Sequence, residues 1–99
     1  MKINGKSFKF KTFHFYSDPG HGWIKVPYEA INRLGIAHTI SRFSYERGSS
    51  VYLEEDRDAF YFLNALKTNG INNYKVIPHT TDRMSKIRSY ASYNPNNHI

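Results

Sequence analysis

From Phe8 to Tyr16 apolar and polar residues alternate, but the phase changes partway: Phe8 and Phe10 share one parity, Phe13 and Phe15 the other. Strand side chains repeat every two residues, so this slip predicts a bulge near Lys11-Thr12 or a strand buried on both faces. Trp23-Ile24-Lys25-Val26 reads as the returning strand. Between the two, Ser17 to Gly22 forms a hairpin tip, with Asp18-Pro19-Gly20 as its turn: Pro fixes φ and Gly accepts a positive one. Gly22 then lets the backbone turn back. Pro27 suits the first turn of a helix, continued by Ala30, Ile31 and Leu34 to a left-handed cap at Gly35. Arg42 to Tyr45 and Ser50 to Leu53 predict a second hairpin around Gly48, with Phe43 and Tyr45 on one face. The strongest helix spans 58–69, where Ala59, Phe60, Leu63 and Leu66 make an apolar stripe that Phe62 widens. Asn69-Gly70 stops it and Ile71 closes over its last turn. Glu54-Glu55-Asp56-Arg57-Asp58 lies at its start, where solvated carboxylates favour the free N–H groups and the dipole. Tyr74 to Ile77 is a short last strand ended by Pro78, and Asn4-Gly5 marks a turn near the start.

The resulting order, ββαββαβ, is that of an α+β domain: a mainly antiparallel sheet with two helices on one face. It occupies 1–93 as a single domain whose last stretch, 79–93, is an irregular basic strap. Residues 94–99 read as a disordered tail. A chain of 99 residues makes one domain, and an aromatic share of 16% lets a few large rings close a small core.

Composition narrows the chemistry. The absence of Cys excludes disulfides and thiolate metal sites. The N-terminus lacks the apolar run of a signal peptide, and no window approaches the ~20 apolar residues of a membrane span. The expectation is a soluble protein of the cytoplasm with no membrane partner. A net charge of +6 suits polyanions: nucleic acid, nucleotides, or an acidic face on a protein.

The five His residues offer no i, i+4 pair of the HExxH kind, and the acidic run lacks the spacing of a calcium loop. Neither a Gly-x-Ser-x-Gly elbow nor a phosphate loop with its Lys-Ser/Thr is present. No catalytic residue, metal ligand or cofactor is therefore assigned. The phosphate-binding features are stronger. Gly20 and Gly22 flank His21, and Arg83, Lys86, Arg88, Ser89 and Tyr90 interleave cations, hydroxyls and a ring, a mixture that neutralises phosphates and stacks on bases. The candidate ligand-binding set is His21, Trp23, Arg47, Arg83, Lys86, Arg88 and Tyr90. The structural counter-readings are a Trp23 that anchors its hairpin to the core, and a strap that covers the sheet edge, tied down by Tyr90 and Tyr93.

The runs Tyr16-Ser17-Asp18-Pro19-Gly20-His21-Gly22-Trp23, Phe43-Ser44-Tyr45-Glu46-Arg47-Gly48, Val51-Tyr52-Leu53-Glu54-Glu55-Asp56 and Ile87-Arg88-Ser89-Tyr90 resemble a group of small uncharacterised accessory proteins of tailed bacteriophages. The resemblance covers about residues 13–93 and carries over no catalytic residue. It implies a phage or prophage protein in a bacterial cytoplasm, in a setting where small proteins antagonise host defence. The leading expectation is a non-enzymatic binding protein engaging nucleic acid or a nucleotide through a basic, aromatic surface. The alternative is an inhibitor that docks on a host enzyme through aromatic hairpin tips. A third is a metal-assisted hydrolase using His21 with carboxylates. Whether the chain forms a homo-oligomer stays open.

Overall fold

Two short strands, β1 (Lys2–Ile3) and β2 (Lys6–Ser7), pair at the start of the chain, and the predicted hairpin follows. β3 (Thr12–Ser17) runs antiparallel to β4 (Gly22–Pro27), with Phe15 opposite Ile24 and Tyr16 opposite Trp23. The structure is a computed structural model describing residues 2–3 and 6–98, with side chains from 8 to 98. The expected Asn4-Gly5 turn lies outside the described residues. No bulge is needed at Lys11-Thr12. The strand begins only at Thr12, so the phase slip separates Phe8 and Phe10, which precede it, from Phe13 and Phe15 within it.

Helix α1 (Tyr28–Arg33) follows β4 directly, with Ala30 and Ile31 buried and Gly35 beyond its end at φ 72°. β5 (Tyr45–Arg47) and β6 (Ser50–Glu54) make the second hairpin around Gly48, at φ 60°. Its first strand starts three residues later than the pattern suggests, and Phe43 is left 73% exposed in the preceding turn. α2 (Asp58–Thr68) buries Ala59, Phe62 and Leu66. Phe62, not Phe60, carries the stripe: Phe60 is 62% exposed. Gly70 at φ 71° ends the helix region, and Ile71, buried, donates its N–H to the Leu66 carbonyl.

β7 (Lys75–Thr80) then lies parallel to β3, and β8 (Ala91–Ser92) adds to β5. The main sheet has the order β7-β3-β4-β6-β5-β8, and β3–β7 is its one parallel pair. β7 passes through Pro78 rather than ending there. Lys75 N–H donates to Lys11 O and Thr81 N–H to Ser17 O. By alternation the nitrogen of Pro78 points away from β3, so its missing proton removes no bond of the ladder.

One face of the sheet, presenting Phe13, Ile24, Val26, Val51 and Leu53, packs against both helices and forms the main core. Phe13 meets Phe62 edge-on at 5.0 Å between ring centroids. This is the α+β layer expected from the order of elements. The opposite face carries a second cluster, in which Trp23, Tyr52 and Ile87 are buried and Tyr16, Tyr45 and Tyr90 pack around them. Sheets buried on both faces show continuous apolar runs in place of alternation, which accounts for Trp23-Ile24 and Val51-Tyr52-Leu53.

The acidic run does more than cap a helix. Glu54 accepts the N–H groups of Asp56 and of Asp58, the first residue of α2. Asp58 itself is fully buried, not solvated. Its carboxylate accepts from the Ser41 N–H, the Ser41 and Ser44 hydroxyls and the Arg57 guanidinium.

The C-terminal residues, expected to be a disordered tail, take a single 3-10 turn over Pro95–His98. Glu46 ties it in. Its buried carboxylate accepts from Asn94 N–H and Asn97 Nδ2 and lies 3.2 Å from His98 Nε2. Burial opposes the charged form, yet these donors hold the Glu46 carboxyl below its ordinary range. The His98 ring stacks on Tyr28 at 4.0 Å.

Candidate ligand site on the open sheet face

The strap crosses the second face of the sheet and ends on its edge, where β8 pairs with β5 and Tyr93 is buried in the main core. A one-turn 3-10 helix over Lys86–Ser89, started by the Ser85 hydroxyl, sets Ile87 onto Trp23 and Tyr52. The anchor is Asp18. Its carboxylate accepts Gly20 and His21 N–H groups within its own turn, then the Ser85 N–H from the strap. The Arg88 guanidinium clamps it two-pronged, Nε to Oδ2 at 2.7 Å and Nη2 to Oδ1 at 2.8 Å. Gly20 does not adopt the positive φ expected of its turn, and both it and Gly22 are small for reasons of space. A Cβ on Gly20 would press on Arg88, and one on Gly22 would run into the Phe15 ring and Glu55.

Arg88, with the strap and turn N–H donors, holds the Asp18 carboxyl well below the usual carboxylate range. A folded value below the unfolded one, about 3.9, means the stabilisation is fully present above that pH and declines as pH falls below it toward the folded value. Thermal melts should therefore show Asp18→Asn less stable than the parent by a constant margin above about pH 5, narrowing below about pH 4. Coincident melts at neutral pH would remove Asp18 as the anchor.

The predicted site residues fall into separate places. Trp23 is 2% exposed, so it is not presented at the hairpin tip. Arg88 lies over its indole at 5.6 Å, engaged by Asp18. His21, exposed on the turn, shares a hollow of about 340 Å³ with Trp23, Phe43 and Arg88, and with the acids Glu54 and Asp56. Arg83 is exposed between β7 and the 3-10 turn and lines neither this hollow nor the groove described next.

Arg47, Lys86 and Tyr90 do meet. They line a groove of about 430 Å³ between the strap and the sheet, together with Tyr16, Lys25 and Tyr52. Arg47 lies over the Tyr90 ring at 5.2 Å, with Nη1 donating to its hydroxyl at 3.4 Å. Tyr90 packs on Tyr52 at 5.1 Å, and Lys25 Nζ stands 6.0 Å from the Tyr52 ring. Burial, with Tyr90 and Tyr16 close by, pushes the Tyr52 phenol up, so it stays a neutral hydroxyl at physiological pH. Among the described residues no carboxylate lines this groove. Cations beside aromatic rings are groups able to pair with phosphates and to stack on bases.

Lys25, Tyr52 and Tyr16 were missing from the predicted set, although the pattern held a signal for the first two. Lys25 stands between Ile24 and Val26, and Tyr52 between Val51 and Leu53, so both take the parity opposite the main core. A further pair was not predicted at all: His14 Nδ1 lies 2.9 Å from His79 Nε2, across β3 and β7. Among the described residues no group of three His, Asp or Glu side chains is placed to hold a metal ion. Nor, among them, is any helix long and apolar enough to cross a membrane. No protein-family model, curated protein or solved structure matches the chain.

Proposed function

We propose that the chain is a non-enzymatic binding module that takes a nucleotide or nucleic acid in the open-face groove. The phage-type setting implied by its sequence runs would make it an antagonist of host defence in a bacterial cytoplasm. The observation that carries the reading is the convergence of Lys25, Arg47 and Lys86 with Tyr16, Tyr52 and Tyr90 on a groove whose described lining residues include no acid. Cations in such a groove track phosphates while rings take base faces. Arg83 joins only as a peripheral charge.

The test is titration of a labelled oligonucleotide and a nucleoside triphosphate over a salt series. Replacing Lys25, Arg47 and Lys86 together by Ala should weaken binding at least about 100-fold at low salt and flatten the salt slope by about 0.7 per lost phosphate contact. None of the three is buried, so the fold should survive. Affinity and slope equal to the parent's would reject the groove as the site.

A second reading has one observation in its favour. Phe43, 73% exposed, stands at the rim of the hollow that holds His21, Glu54 and Asp56. An exposed ring beside an acidic hollow suits a basic segment of a host protein, with the chain acting as its inhibitor.

A further inference from the structure

Resting on the reading of the groove as a phosphate-ligand site, we infer that its ligand is single-stranded nucleic acid, and that the strand leaves the groove over Tyr16 to stack its next base on His79. Tyr16 belongs to both places: it lines the groove, and its ring lies against His79 with planes 14° apart and centroids at 4.6 Å. His79 is exposed on β7, the outermost strand on that side, so nothing else in the sheet covers this shelf.

The shelf is fixed in place. The N–H···N bond between His14 and His79, at 2.9 Å with ring centroids 5.1 Å apart, sets the plane of the exposed imidazole. A ring held in position loses little freedom when a base stacks on it. Charge continues along the same path. Lys25 is the register partner of His14 on β4, and Tyr52 is the partner of Lys25 on β6. A cation therefore stands between the two ring sets, with neighbouring strands about 5 Å apart.

Single strands fit this arrangement and the other phosphate ligands do not. A duplex hides its base faces in its own stack, so it can offer neither groove nor shelf a face to cover. A mononucleotide fills the groove and leaves the Tyr16–His79 shelf bare. A strand of a few nucleotides uses both, with no demand on sequence, because every base has a face.

The experiment is fluorescence anisotropy with three fluorescein-labelled probes at one salt concentration: a mononucleotide, a homopolymer of about four nucleotides, and a blunt duplex. The short single strand should bind about tenfold or more tighter than either of the others. His79→Ala should erase that advantage while leaving mononucleotide affinity unchanged, and His79→Phe should restore it by returning a ring without the hydrogen bond. Equal affinity for mononucleotide and strand, preference for the duplex, or a silent His79→Ala would each overturn the single-strand inference and leave the groove reading standing. Failure of all three probes to bind would overturn both.

Discussion

Asp58→Ala should cost about 3–5 kcal/mol, the range for stranding buried polar partners of a charge. A domain of this size has about 5–15 kcal/mol in total, so the variant should lie at or near the edge of folding. The reason is the number of groups that converge there. The Ser41 N–H, the Ser41 and Ser44 hydroxyls and the half-exposed Arg57 guanidinium all donate to this one buried carboxylate. Removing it leaves the loop 39–44 without the acceptor that closes it onto α2. Arg57 is also bonded to the Thr39 carbonyl, and Ser44 Oγ accepts from Glu54 N–H, so the disturbance reaches the end of β6. Urea titration is the measurement. Asp56→Ala, in the same acidic run but exposed, should change stability by less than about 0.5 kcal/mol. If the two variants melted alike, Asp58 would be no more than a helix-terminal charge.

Trp23→Ala is the second large effect, at about 3–5 kcal/mol for truncating a buried aromatic. The indole is packed on Ile87 and Tyr52, with Tyr45 edge-on at 6.3 Å and the Arg88 guanidinium above. Its loss would leave a void beneath the strap, and the strap forms one wall of the groove. Loss of ligand binding in this variant would thus follow from loss of the fold. Trp23→Phe separates the two causes. It keeps a ring under Arg88, and Trp23 does not line the groove, so nucleotide affinity should stay within about twofold of the parent's. A well-folded Trp23→Phe that binds about tenfold more weakly would put the ligand on the indole after all.

The order of elements was legible because its causes are local. Hydrophobic periodicity located α1, α2 and the hairpins, and Gly35, Gly48 and Gly70 all take the left-handed backbone that their turns need. What was not legible depends on distant partners. Arg88 reads as a phosphate ligand until Asp18, 70 residues away, is found beneath it. Asp58 reads as a helix-terminal charge until Ser41 and Ser44 turn inward to meet it. Phe60 and Phe62 were both open to the core, and the roll of α2 about its axis chose Phe62. The cations of the basic strap divide: Lys86 lines the groove, Arg88 clamps Asp18, and Arg83 does neither.

Pro78 bears on how the molecule behaves among copies of itself. A second chain aligned along the outer side of β7 would seek a donor midway through the strand and meet a pyrrolidine ring. At the opposite border β8 offers only Ala91–Ser92, too short a template for a stable added strand. Neither border of the main sheet therefore offers another copy a long, uninterrupted ladder of backbone donors.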